Sequence, residues 1–206
     1  MRLVASGFLL SAVFALPGTA GMHPAADLTV VLDFQGPHSE KSVKIMKTET
    51  QGILKELGVR LDWRTAGEAS RGSYADLAVM RFKGACLVSS APSLYDEPGP
   101  LAFTYRTDGV VQPFGEVECD KVSRFVRSAM RGDDLFKADQ LLGRALGRVV
   151  AHELIHILSR SSEHGTEGVE KAALSSKQLI AGSLPLSPAD VDRLRDKQNE
   201  QSEGLR

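Results

Sequence analysis

The chain has 206 residues and a formal net charge of −1, a length that fits one ordinary domain with short tails. Its 42% hydrophobic and 25% charged content is that of a globular protein. The near-neutral charge removes the electrostatic argument for nucleic acid, and the local basic run Lys121, Arg124, Arg127 and Arg131 reads as a solvated helix face.

The N-terminus has the pattern of a secretory signal. Arg2 supplies a positive start, residues 3–16 an apolar stretch, and residues 17–21 a break with small side chains. Cleavage after Ala20 or Gly21 is expected. The apolar run is short for a transmembrane helix and no later segment could span a bilayer. The expectation is a secreted or periplasmic chain without a membrane span after cleavage. It divides into a signal peptide (1–21), a single domain (22–199) and a flexible tail (200–206). Both cysteines, Cys86 and Cys119, fall in the domain, and an oxidising compartment predicts a disulfide between them. That bond would close a loop of about 33 residues, worth roughly 3–4 kcal/mol. The absence of a Cys-x-x-Cys spacing argues against a cysteine metal site.

Residues 28–34 are almost continuously apolar and β-branched, which predicts a buried strand. Val43, Met46, Thr50, Ile53, Leu54 and Leu57 recur at helical spacing, with Gly58 as the stop. Val59, Leu61 and Trp63 alternate with Arg60, Asp62 and Arg64 as a half-buried strand, and residues 77–82 are another. This β-α-β-β order predicts an α+β fold with a helix packed on a mixed sheet. Residues 89–100, with three prolines, read as a loop. Leu101, Phe103 and Tyr105 alternate, Thr107-Asp108-Gly109 signals a turn, and residues 114–119 read as the returning strand.

A long helix is expected over about 134–158. Its apolar arc is broad enough for burial, its polar strip contains Gln140, Arg144 and Arg148, and Gly143 and Gly147 would admit another backbone. A last helix starts at Ser187 (N-cap), Pro188 and Asp190, with Leu186 and Val191 as a staple, and runs to about Gln198.

The long helix carries His152-Glu153-Leu154-Ile155-His156. Residues four apart project to the same side of a helix. Two neutral imidazoles at this spacing can share one Zn²⁺ at roughly 2.0–2.1 Å. Glu153 lies about 100° round the helix, where it reaches a metal-bound water without being a ligand. The metal brings that water's pKa toward ~7, and the carboxylate takes its proton and later protonates the leaving amine. A catalytic zinc needs a third protein ligand and an open position, and His164 is the candidate. On a continued helix His164 would lie about 12 Å beyond His156, so the helix has to stop near residues 158–160. The serines at 159, 161 and 162, with Gly165 beyond, suit such a stop. A shared ion also requires the three ring nitrogens to converge within about 4 Å. Glu163, Glu167 and Glu170 are rival third ligands, whereas His23 and His38 read as incidental.

At these residues the chain resembles the zincin metallopeptidases, whose active-site helix carries His-Glu-x-x-His. The resemblance implies a β-α-β-β-type half before the active-site helix and a small C-terminal helical part that supplies the third ligand. A third histidine after a short turn is similar to the metzincin branch. In that branch's pattern, however, Ser159 stands at the glycine position, Ser162 at the final histidine, and no methionine follows Met130. The implied function is an exported zinc peptidase with one catalytic Zn²⁺ on His152, His156 and His164. Glu153 would be general base and acid, and a peptide or protein substrate would lie along a sheet edge near residues 101–106. Tyr105 and Tyr95 are candidates to assist the oxyanion. The alternative is a secreted zinc-binding or zinc-stabilised interaction module without turnover.

Overall fold

The computed structural model describes residues 28–88 and 99–203; the expected signal segment, His23 and Tyr95 lie outside them. Five strands form one mixed sheet: β1 Leu28–Phe34, β2 Leu61–Thr65, β3 Leu77–Lys83, β4 Ala102–Thr107 and β5 Val110–Glu118. Their order across the sheet is β2-β1-β3-β5-β4. β1 lies between two parallel neighbours, which explains its continuous apolar run. β3 and β5 are parallel, and β4 returns antiparallel to β5 as an outer strand. The β4–β5 connection is the expected tight turn, with Asp108 and Gly109 both at positive φ. β5 begins at Val110, earlier than anticipated, and stops at Glu118, because Cys119 opens a helix.

Six helices complete the described chain: α1 Glu40–Leu54, α2 Ala66–Ala69, α3 Cys119–Ala129, α4 Ala138–Ser159, α5 Ser176–Ile180 and α6 Pro188–Glu203. The fold is therefore α+β, a mixed sheet with helices. α1 is capped by Ser39, whose hydroxyl accepts from Ser42 N–H, and it ends through a 3-10 turn onto the left-handed Gly58. α3 carries Lys121, Arg124 and Arg127 half-buried while Val122 and Val126 point into the core.

α4 packs along α1. A Cβ on Gly143 would come 2.5 Å from the Ser42 carbonyl oxygen, and one on Gly147 2.6 Å from Glu49 Cβ, so both glycines are needed for the approach. Thr50 Oγ1 donates to the Gly147 carbonyl at 3.0 Å across the same contact. The expected start of this helix at Asp134 is replaced by a 3-10 turn over Gly132–Lys137. The expected polar strip also needs correction. Arg148 is 0% exposed: its guanidinium pairs with Glu49 and donates to the carbonyls of Gln178, Leu179 and Ala181 at the end of α5.

α6 starts as expected, with Ser187 Oγ accepting from Asp190 N–H at 3.1 Å. It continues to Glu203 rather than ending near Gln198, so part of the anticipated tail is helical. Val30, Leu32, Met80, Phe82 and Val117 from the sheet join Val122, Leu146, Val150, Leu154, Val169, Leu179 and Leu194 in one core. Cys86 and Cys119 form the expected disulfide, tying the segment after β3 to the first residue of α3. No helix among the described residues is long and apolar enough to cross a membrane.

Candidate metal centre

The last two turns of α4 present His152 and His156 on one side, with Nε2 atoms 3.1 Å apart. α4 then stops. Arg160 adopts the left-handed conformation at φ 49° and its N–H bonds back to the helix carbonyls, which turns the chain as the His164 expectation required. The turn brings His164 over the pair. Ring centroids are 4.7 Å apart for His152–His156, 5.1 Å for His152–His164 and 4.8 Å for His156–His164.

One nitrogen from each ring lies within 4.8 Å of the others. This is wider than the expected convergence of about 4 Å, and a tetrahedral zinc would need about 3.4 Å. The His152–His156 pair is already close enough, so the excess falls on His164, which is exposed and sits on a loop. It would have to draw in by about 1–1.5 Å to complete the tetrahedron.

The rival carboxylates are engaged elsewhere. Glu163 pairs with Lys197, and Glu170 with Arg193. Glu167 is exposed and outside the group that could share an ion. His38 stacks on Phe34 and its Nδ1 donates to the Gly36 carbonyl.

Hydrogen bonds assign the tautomers of the pair. His152 Nδ1 lies 2.8 Å from the Val169 carbonyl oxygen, and His156 Nδ1 2.8 Å from that of Ser161. A carbonyl only accepts, so both Nδ1 atoms carry the proton. In the neutral rings both Nε2 atoms present lone pairs to each other at 3.1 Å, a repulsion that a shared cation, either a metal ion or a proton, relieves. Burial favours these neutral rings. Desolvation lowers the pKa of His152 and takes that of His156 down to about 4. The donor set thus fits a divalent metal that takes neutral imidazole.

Glu153 is 5% exposed. Desolvation raises its pKa to about 7, against a hydrogen bond from Thr104 that lowers it. Thr104 Oγ1 donates to Glu153 Oε2 at 2.7 Å. The bond is possible because the pleat turns Thr104 toward α4, while Phe103 and Tyr105 point to the other face. Tyr105 is therefore placed away from the centre: its hydroxyl donates to Glu116 at 3.1 Å, and its ring lines a cavity with Val79 and Arg81. It cannot assist an oxyanion at the centre.

A second cavity, of about 200 Å³, opens beside His152 and Glu153. Its other walls include Leu101 and Ala102 at the start of β4, Phe125 of α3, Val149 of α4 and Leu174. Sequence reasoning missed Thr104 and the carbonyls of Ser161 and Val169. Thr104 could be found only through the register of β4 against α4, and backbone carbonyls carry no residue-type signal.

No protein-family model, curated protein or solved structure matches this chain.

Proposed function

We propose that the chain is an exported zinc-dependent hydrolase, a peptidase of the zincin type, with one ion held by His152, His156 and His164. The observation that carries this reading is the pair of Nε2 atoms 3.1 Å apart, each ring fixed by a backbone carbonyl at its other nitrogen. Zinc supplies Lewis-acid polarisation and an acidified water when bound.

Glu153 would accept the proton of the attacking water and return it to the leaving amine, as a carboxyl whose pKa lies near neutrality is suited to do. Thr104 holds Oε2 and leaves Oε1 to exchange the proton. The outer strand β4, which carries Thr104, runs past Glu153. This supports an extended peptide lying along β4, with an apolar side chain seated in the cavity between Leu101, Phe125 and Val149.

The second reading is a zinc-binding module without turnover. It is favoured by the wide placement of His164 and by the lack of a methionine after Met130. One experiment separates the two. Zinc content and cleavage of a mixed peptide library are measured for the wild type and for Glu153→Ala. The peptidase reading expects one zinc in both proteins and cleavage by the wild type alone. Zinc retained with no wild-type cleavage would leave the binding module, and no zinc would end both readings.

A further inference from the structure

All three imidazoles depend on one stretch of chain, residues 161–170. Ser161 and Val169 supply the carbonyls that orient His156 and His152, and His164 lies between them. Val169 anchors this stretch in the core, and α6 with the residues just before it holds the rest. Lys197 reaches the Glu163 carboxylate and, at 3.1 Å, Ser161 Oγ. Arg193 bridges Glu170 and Asp190, the latter at 3.2 Å. Gly165 N–H donates to the Glu170 carbonyl at 3.1 Å, and Val169 N–H to that of Pro185 at 3.2 Å. A Cβ on Gly165 would come 2.5 Å from Asp190 Oδ1, and one on Gly168 2.2 Å from the Pro185 carbonyl oxygen.

Among these ties the Glu170–Arg193 pair has the most at stake. Glu170 is 1% exposed, and its Oε1 has no hydrogen-bond partner among the described residues. Arg193 is thus its main compensation for burial. Without Arg193 the buried carboxylate is left uncompensated and would pull toward solvent; without the Glu170 charge, Arg193 keeps only Asp190 and its hold on this stretch weakens. That movement would carry the Val169 carbonyl off His152 and release the Gly165 N–H that seats His164.

We propose that Glu170 and Arg193 are positioning residues for the metal centre, and that α6 is a clamp whose docking is coupled to metal binding. The proposal rests on the metal reading above. By linkage, an ion that binds only the ordered stretch also favours the docked helix.

The test uses the full chain. Zinc affinity is measured by chelator competition, and Co²⁺ absorption reports ligand geometry, for Glu170→Gln, Arg193→Met and Arg193→Lys. The control is Arg195→Met, because Arg195 ties α6 to the Glu56 carbonyl, away from the centre. Glu170→Gln and Arg193→Met should weaken zinc binding about 10–100-fold, as loss of an outer partner does, and alter the Co²⁺ spectrum. Arg193→Lys should recover most of the affinity, and Arg195→Met should stay within about twofold of the wild type. Wild-type affinity and spectrum in Glu170→Gln and Arg193→Met, or an equal loss in Arg195→Met, would overturn the proposal.

Amide exchange in the metal-free proteins separates this idea from its parent. Gly165 and Val169 should exchange faster in Glu170→Gln than in the wild type, and equal rates would overturn the clamp alone. A wild type that binds neither Zn²⁺ nor Co²⁺ would overturn the metal reading and the positioning role with it.

Discussion

At Glu153, burial and Thr104 act in opposite directions. Burial raises the carboxyl to about 7, and the Thr104 hydroxyl stabilises the anion and draws it down. Thr104→Val removes the lowering influence, so the base form should appear at higher pH. A hydrogen bond of about 1 kcal/mol corresponds to somewhat under one pH unit. The acid limb of the pH profile of kcat/KM should move up by that amount; a limb that stays or moves down would exclude Thr104 as its partner.

The same burial predicts a stability effect in metal-free protein. The folded pKa of Glu153 lies above its unfolded value of 4.5. Its contribution is therefore present below about pH 4.5 and lost as pH rises through about 7. Glu153→Gln should gain on the wild type across that window by about 3 kcal/mol, read as the difference in urea unfolding free energy at pH 4.5 and 7.5. His156, shifted down to about 4, acts in the opposite sense: its contribution is present above about pH 6.5 and is lost as pH falls toward 4. It is common to both proteins and cancels in the difference.

Among the elements, the end of α4 decides whether the third histidine arrives. The residue that turns the chain is Arg160 at φ 49°, a conformation that costs an L residue roughly 1–2 kcal/mol. Arg160→Gly should keep zinc and gain about 0.5–1 kcal/mol in thermal unfolding. Arg160→Val should lose at least about 1 kcal/mol and weaken zinc binding, because the Ser161 carbonyl and His164 both follow the turn. Equal stability of the two variants would show that α4 ends some other way.

The stop itself was legible from distance: His164 could not share an ion with His156 on an unbroken helix, and serines follow. Its position near residues 158–160 was legible too; the left-handed turn at Arg160 was not, since no residue preference marks an arginine for that conformation. Arg148 shows a second limit. A helical wheel sorts positions by residue type, so an arginine joins the polar strip. Its partners, Glu49 and three carbonyls at the end of α5, lie far away in sequence.

For the whole molecule, β1, α1, β2 and β3, the β4–β5 turn and the start of α6 were local patterns and could be read directly, whereas the one-turn helix α2 between β2 and β3 was missed. Strand order was not, because the parallel pairing of β1 with both β2 and β3 is set by crossovers that leave no local signature. α3 was anticipated only as a basic helix face, without bounds, because it follows β5 directly at Cys119 with no turn residue between them.

The disulfide joins two of these regions. Cys86 and Cys119 are separated by 33 residues, and the loop-entropy relation values that closure at roughly 3–4 kcal/mol. The Cys86→Ser, Cys119→Ser double variant should lose about that much in urea unfolding while keeping its zinc affinity, since neither cysteine approaches the histidines. Loss of zinc with the disulfide would show that α3, whose Phe125 lines the cavity beside His152, also supports the metal ligands.

The claim on which the rest depends is a single ion on three imidazoles with one position open. X-ray absorption at the zinc edge of the zinc-loaded chain tests it most directly. Three imidazole nitrogens at roughly 2.0–2.1 Å and one oxygen from solvent are predicted, with one imidazole lost in His164→Ala. A carboxylate in place of the third imidazole, a spectrum unchanged by His164→Ala, or four protein ligands closing the site would contradict it.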